Sequence, residues 1–398
     1  MSALRNGLLV LLAMAQLAAG LRVAIRLLRS ARGTRIQRSA APCPGERVTV
    51  VVPVLDERQR LMPCLEALMA QPDEVLEILV VDGGSRDGTQ ALVRAASERD
   101  VRIRLLDATP IPGDWNGKAH GLQTGLLHAD PSANWILTID ADVRPQPDLA
   151  RSLLAHVHRG GVALQGVATR QVVSGAADGL LHPALLTTLV YRHGIPGHAT
   201  GCIHDVQANG QCSLFRREPL EHLGGFAVAR DSRCEDVTVA RALAEAGYNV
   251  GFHEDDGLVE TAMYGAWRET WQNWPRSLTL RDRYWDLGGW LRLAEVTLAQ
   301  GLPLAVLAIS WQAGRRGSSI AGKVTPGHVL RAVNIALFAM RLGILAGTRR
   351  AYRQPPATYW LSPLVDLPVS LRLWQSVLQR SHTWRGRTLV PEDIWSVT

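Results

Sequence analysis

Cysteine is scarce in this 398-residue chain. There are five, an odd number: Cys43, Cys64, Cys202, Cys212 and Cys234. No two have the spacing of a zinc site or a redox pair, which excludes a disulfide framework and a cysteine-based metal centre. Reduced thiols in a cytoplasmic compartment are the expectation. Lysines are few among many arginines. No nucleic-acid module shows its expected spacing, so a nucleic-acid partner is not expected, and no internal repeat or low-complexity segment appears. The net charge of +7 then points to an anionic membrane surface or a phosphorylated substrate. Charged residues make up only 20% and hydrophobic ones 47%, rich in apolar residues for a soluble enzyme. The length suits one large domain or two ordinary ones.

Apolar segments lie at both ends. Gly7 to Leu21 continues less cleanly to Leu28, interrupted by Arg22 and Arg26. A signal peptide, a short membrane helix and an amphipathic anchor share this pattern. No convincing cleavage site comes after it. The basic cluster Arg29, Arg32, Arg35 and Arg38 stands there instead, so an uncleaved signal anchor is favoured, with the downstream chain on the cytoplasmic side. Leu291 to Trp311 is long enough to span a bilayer, and so is Val329 to Ala346 despite Arg331 and Arg341. Tyr359 to Leu378 holds Pro363, Asp366, Pro368 and Arg372, costly in lipid, so a re-entrant or interfacial segment is favoured there. The expected division is a membrane anchor and basic linker over 1–45, a central domain over 46–285 and a C-terminal membrane domain over 286–398. The expected location is the cell (inner) membrane, multi-pass, with the central domain cytoplasmic.

The central domain alternates strand and helix signals. Val48–Val54, Glu77–Val81, Val101–Leu106 and Trp135–Ile139 read as strands, with helices around Leu61–Ala70, Gly88–Arg99 and Lys118–Ala129. Later strands are expected at Val162–Ala168, Gln211–Phe215 and Val250–His253, and helices at Leu180–Tyr191 and Asp236–Ala246. The fold class is α/β with a mostly parallel central sheet. Ligands bind at the carboxyl ends of such strands, where this chain places acidic residues.

Asp140 and Asp142 lie at i and i+2, on one side of an extended chain, and can reach one divalent cation with its phosphates. A solvated acidic turn would carry the same letters, but the buried strand WILTI precedes this one. Asp82 comes after another buried strand and opens the glycine-rich run to Gly88; it suits a base or ribose, or a plain strand-to-helix turn capped by Ser85 or Asp87. Asp56-Glu57 stands after the first strand and reads equally as an exposed loop pair. Lys118, at a helix start beside Gly117, suits a pyrophosphate. Glu235-Asp236 opens a helix, where a carboxylate can act as general base or simply complement the helix dipole. Trp267 to Asp282 is rich in Trp and Arg, fitting a diphosphate and a sugar face, or a membrane-interface belt.

Taken together, VVPVLDE (Val51–Glu57), VVDGGSRDGT (Val80–Thr89), DAD (Asp140–Asp142) and CED (Cys234–Asp236) resemble family 2 glycosyltransferases of the GT-A fold, over roughly Glu46 to Arg283. PGDWNGKAHG (Pro112–Gly121), LHPALLTTLVYRHGIPG (Leu181–Gly197) and VQANGQC (Val206–Cys212) resemble bacterial carotenoid 2'-O-glycosyltransferases of the myxoxanthophyll pathway, and Trp384–Arg387 is similar to members with lipid acceptors. The resemblance implies inverting transfer from a nucleotide-sugar donor to a hydroxyl of a carotenoid-like lipid acceptor at the membrane. Pro53, Glu57 and Asp82 would line the nucleoside site, with Asp82 facing the base, and Lys118 would approach the phosphates. Asp140 would contact ribose or metal, Asp142 would be the main ligand of Mg2+ or Mn2+, and Asp236 would be the base supported by Glu235. Arg276 would offset charge on the departing nucleoside diphosphate, and Gln272 would be among the substrate-binding residues. Processive members carry Gln-x-x-Arg-Trp; here one extra residue separates Gln272 from Arg276 and no Trp comes next, which argues against polymer synthesis. Other lipid acceptors (hopanoid, diacylglycerol, polyprenyl phosphate) stay open, and a non-catalytic membrane scaffold is the reading from a different class.

Overall fold

The structure is a computed structural model; it describes residues 2–173, 175–262, 266–278, 284–316 and 325–379, and the backbone of 382–384 and 387–389. Its elements run in the order α1 (Ser2–Ser30), β1 (Arg35–Ile36), β2 (Val48–Val54), α2 (Leu61–Met69), β3 (Val75–Asp82), α3 (Thr89–Ser97), β4 (Ile103–Asp107), α4 (Gly117–His128), β5 (Trp135–Ile139), β6 (Val143–Pro145), α5 (Leu149–Gly160), β7 (Leu164–Ala168), β8 (Arg170–Gln171) and α6 (Ala176–His193). They continue with β9 (His198–Thr200), β10 (Cys212–Arg216), α7 (Arg217–His222), α8 (Glu235–Glu245), β11 (Val250–Asp255), β12 (Val259–Thr261), α9 (Trp267–Ser277), α10 (Leu287–Val296), α11 (Leu302–Arg316), α12 (Pro326–Thr348) and α13 (Asp366–Leu378).

The main sheet has the order β1-β11-β7-β10-β5-β2-β3-β4, with β9 on β11. It is α/β and mostly parallel, as expected. Only β10, between β5 and β7, and β9 run antiparallel to their neighbours. The apolar run VTVVVPV is the reason β2 sits inside: both faces are covered, so alternation disappears. Val48, Val50, Val52 and Val54 face the layer containing Leu61, Leu65 and Leu153. Val51 faces the layer containing Leu122, Leu126 and Leu243. Gly125 lets α4 lie close on this strand, since a Cβ there would stand 2.4 Å from Val51. The basic linker is not wholly outside the central domain: Arg35 and Ile36 pair with Glu254 and Asp255 at the sheet edge.

Among the described residues, three helices are long and apolar enough to cross a membrane: Ala3–Ser30, Leu287–Gln312 and Pro326–Ala351. The second runs through one π-helical turn, Thr297–Gly301. Leu4, Leu8, Leu11, Leu17 and Leu21 are exposed along α1, the stripe a lipid-facing helix presents. Polar groups instead pair between helices: Gln16 and Asn334 exchange hydrogen bonds of 2.9 and 2.8 Å, and buried Arg341 meets Asp366 at 2.8 Å. Burial demands such pairing. The third apolar segment is a 3-10 stretch, Ala357–Val365, followed by the 13-residue α13. All five cysteines are free.

Candidate active site

The carboxyl ends of β5 and β2 converge on a cluster of acidic side chains around one lysine. Strand β5 is buried throughout, and Asp140 comes directly after it. The Asp140 N–H donates to the Gln211 carbonyl at 3.1 Å, and the Val143 N–H returns to the Asp140 carbonyl at 3.1 Å. The DAD segment is therefore a tight turn pinned to the loop before β10.

Lys118 reaches this turn from the start of α4. Buried Asn116 caps that helix by accepting from the Lys118 N–H at 2.9 Å. Its side-chain NH2 donates to the Ser232 carbonyl at 2.8 Å, and its backbone N–H bonds Arg230. One asparagine thus fastens the loop carrying Lys118 to the loop opening α8. The Lys118 ammonium lies 2.7 Å from Asp140 Oδ1, 3.0 Å from Glu235 Oε1 and 3.3 Å from the Gly210 carbonyl. Lys118 and Lys323 are the only lysines in the chain, so this position is not one of many surface cations. Gly210 presses its backbone on the cluster; a Cβ there would stand 2.7 Å from Lys118 Nζ and 3.2 Å from Glu235 Oε1.

The charges do not balance. Burial, then Glu235, push the Asp236 carboxyl up to about 6, against Lys118 and the N–H groups of Val237 and Gly210. Burial, then Asp140, push Asp142 up to about 7, with Arg60 opposing and Glu57 adding. Burial raises Asp140 as well, opposed by Lys118. Burial works against the Lys118 charge, but Asp140, Glu235 and Asp236 outweigh it and hold its pKa above the ordinary lysine value. Asp142 Oδ1 is buried without a hydrogen-bond partner among the described residues. Excess negative charge and an orphaned carboxylate oxygen are what a divalent cation relieves. Among the described residues no group of three or more His, Cys, Asp or Glu forms a closed metal cage. Asp140 and Asp142 instead present two carboxylates of the kind that suit Mg2+ or Mn2+ when water and substrate phosphates complete the shell. The residues fit such an ion.

The other expected residues fall into two groups. Glu57 is 9% exposed, lies 3.0 Å from Arg60 and acts on Asp140 and Asp142 through its charge. Asp82 is 1% exposed at the end of β3, and its carboxylate is engaged by its own turn. It accepts from Gly84 N at 3.2 Å, Ser85 N at 3.1 Å, Gln90 Nε2 at 2.7 Å and the Ser85 hydroxyl. Asp87 accepts from Thr89 N at 2.9 Å, the turn-capping role read as its alternative. Pro53 sits on β2 beyond the end of the β5 pairing, where its missing N–H costs no ladder bond. It faces α4 at Gly121, whose added Cβ would be 3.3 Å away.

Gln272 is exposed on α9; no described hydrogen bond joins its side chain to the cluster. Arg276 is on the same helix, but its side chain lies outside the described residues, as do Arg385 and Gly386. Sequence reasoning missed Asn116 and Gly210 as site builders, although both stand in motifs it singled out. The sequence signals were an asparagine before a helix start and a glycine before a strand.

Residues 49–224 match the family described as Glycosyl transferase family 2. The chain carries a family 2 glycosyltransferase domain. It is 29% identical over 117 residues to the succinoglycan biosynthesis protein ExoO of Rhizobium meliloti (strain 1021), covering 29% of this chain and 31% of that protein. It is 27% identical over 211 residues to the polyprenol monophosphomannose synthase of Mycolicibacterium smegmatis (strain ATCC 700084 / mc(2)155), covering 52% of this chain and 76% of that one. The chain thus spans about a third of the first relative's length. Among solved structures it is similar to mannosyltransferase PcManGT from Pyrobaculum calidifontis, solved with GDP-Man and Mn2+: TM-score 0.53, 22% identity, 91% of this chain and 98% of that one. The α/β sheet is accordingly of the GT-A type, and the enzyme class expected from the motifs is the one the domain carries.

Proposed function

We propose that this chain transfers a single sugar, with inversion, from a nucleotide-sugar donor to a hydroxyl of a membrane lipid, with a carotenoid as the favoured acceptor. The carrying observation is the buried cluster Asp140, Asp142, Lys118, Glu235 and Asp236 at the carboxyl end of the sheet. Asp236 accepts the proton of the acceptor hydroxyl as its oxygen attacks the anomeric carbon and the bond to the donor phosphate breaks. Glu235 and Lys118 hold the charge balance around it. When bound, Mg2+ or Mn2+ at Asp140 and Asp142 would supply charge stabilisation to the departing nucleoside diphosphate. PcManGT holds GDP-Man and Mn2+, a pairing this two-carboxylate set would also suit.

The lipid acceptor is supported by where α8 begins. Arg233, just before the CED motif, donates to the Gln379 carbonyl at 3.4 Å, at the end of α13. Beside it, Trp290 stacks on Trp374 with ring centroids 6.0 Å apart, and Trp271 and Trp285 join the same apolar cluster. Tryptophans of this kind suit a membrane–water interface. The reading includes α1, Leu287–Gln312 and Pro326–Ala351 as spans of the cell membrane, with the transferase domain cytoplasmic. The similarity to a polyprenol monophosphomannose synthase favours polyprenyl phosphate as the second acceptor. Membranes containing the chain, given a panel of nucleotide sugars with Mg2+ or Mn2+ and extracted carotenoids, should yield a carotenoid glycoside. An unchanged pigment profile in cells with and without the gene would sink the carotenoid acceptor, and a labelled polyprenyl phosphate sugar would replace it.

A further inference from the structure

A second charged cavity lies between the end of α6, the middle of α8 and the start of α10. Its volume is about 60 Å³. A single water needs roughly 10–15 Å³ on this measure, so a tetrahedral anion fits and a sugar does not. Its walls include Arg192, His193, Arg241, Trp285, Gly289 and Arg292.

Three donors of the lining have nothing to receive them among the described residues. Arg192 is 2% exposed; its Nε donates to the Thr188 carbonyl at 3.2 Å, while its Nη2 is buried without a partner among the described residues. His193 Nδ1 stands 3.4 Å from Arg292 Nη1. A guanidinium only donates, so Nδ1 accepts and Nε2 carries the proton. His193 Nε2 is also buried without a partner among the described residues, and so is the Trp285 indole N–H. Trp285 lies flat on Gly289, where a Cβ would stand 2.9 Å from the ring.

Among the described residues, no acid forms an ion pair with Arg192 or His193. Asp286 lines it but is half exposed, caps α10 through Gly289 N at 3.1 Å and lies 3.6 Å from His204. Asp205 lies 3.3 Å from Arg292 Nη2, and Glu295 is taken by Arg22 and Arg26. Burial, then Arg292, lower the Arg192 pKa to about 9. Burial and the arginines Arg192, Arg292 and Arg241 keep His193 neutral. A buried arginine without a counter-charge is costly unless a ligand supplies one.

We propose that this cavity binds a phosphate group, held by Arg192 Nη2, His193 Nε2 and the Trp285 indole N–H. It is distinct from the acidic cluster, which repels anions unless a metal is present. Its walls belong to α8, whose first turn carries Glu235 and Asp236, and to α10, which opens a candidate span. A bound phosphate would therefore brace the transferase domain against the apolar helices. The phosphate belongs either to a lipid headgroup or to a free anion, and the test separates the two.

Thermal unfolding of the purified full-length chain in a neutral, phosphate-free detergent is the measurement. Inorganic phosphate, phosphatidylglycerol and diacylglycerol are added in separate arms. Phosphatidylglycerol should raise Tm, and diacylglycerol, which lacks the phosphate, should not. A shift with phosphatidylglycerol but not inorganic phosphate assigns a headgroup; a shift with inorganic phosphate assigns a free anion. Arg192→Met should match or exceed the wild-type Tm without ligand and lose the response. Trp285→Phe, which keeps the ring and removes the donor, should weaken apparent Kd about tenfold. If neither phosphate source shifts the wild-type Tm, or if Trp285→Phe responds as wild type does, the assignment is wrong.

Discussion

Two acidic sheet ends of this domain look alike as sequence and differ as structure. Asp82 ends β3 and Asp140 comes just after β5, each behind a buried apolar run. The Asp82 carboxylate is fully engaged by Gly84, Ser85 and Gln90. The Asp140–Asp142 turn is not: among the described residues Asp142 keeps an oxygen without a partner, and one lysine faces Asp140, Glu235 and Asp236. The Asp82 carboxylate is satisfied by its own turn, whereas burial pushes the Asp142 carboxyl up to about 7 and leaves one of its oxygens unmatched among the described residues. The cavity at Arg192 has the same imbalance with the opposite sign.

Substitutions can break that comparison. Asp142→Asn should abolish most transfer, by about 10²-fold or more, while leaving the fold intact. Sugar transfer by membranes alongside the variant's Tm checks this. Lys118→Met should cut transfer by about 10–100-fold, because Asp140 and Glu235 lose their common cation; a rate near wild type would reduce Lys118 to a structural ion pair. Gly210→Ala should cost about tenfold in rate with little change in Tm, since its Cβ would displace the Lys118 ammonium. Asp82→Asn belongs to the other class. It should lower stability by about 1–3 kcal/mol through the lost turn bonds, read as a denaturant midpoint. A normal midpoint with a raised KM for donor would move Asp82 from fold to nucleoside contact.

The smallest effect is in pH. Asp142 is pushed up to about 7 in the folded chain, above the unfolded carboxylate. Its contribution to stability is therefore present at low pH and fades as pH rises from about 4 through 7. Metal-free Asp142→Asn should show a flatter decline over that window, and added Mn2+ should flatten the wild-type decline in the same way.

Much of this was legible in the sequence. WILTI and VTVVVPV read as strands because buried parallel strands carry unbroken apolar runs, and their bounds agree with β5 and β2. The acids after them were found because they end those runs. What escaped was non-local. Arg35–Ile36 is too short and too basic to read as a strand; it forms because Glu254 and Asp255 stand opposite. The antiparallel direction of β10 is set by pairing, not by its letters. Lys118 was expected to approach phosphates, and its contacts with Asp140 and Glu235 join residues far apart in the chain. The Arg192 cavity likewise gathers residues from 192 to 292.

The most direct measurement is sugar transfer by Asp236→Asn in membranes, with protein amount and Tm matched to wild type. The amide keeps the shape of the carboxyl and removes its ability to take a proton. Transfer should fall by about 10²–10⁴-fold with Tm unchanged or raised. Undiminished transfer would contradict the assignment of this acidic cluster as the catalytic centre.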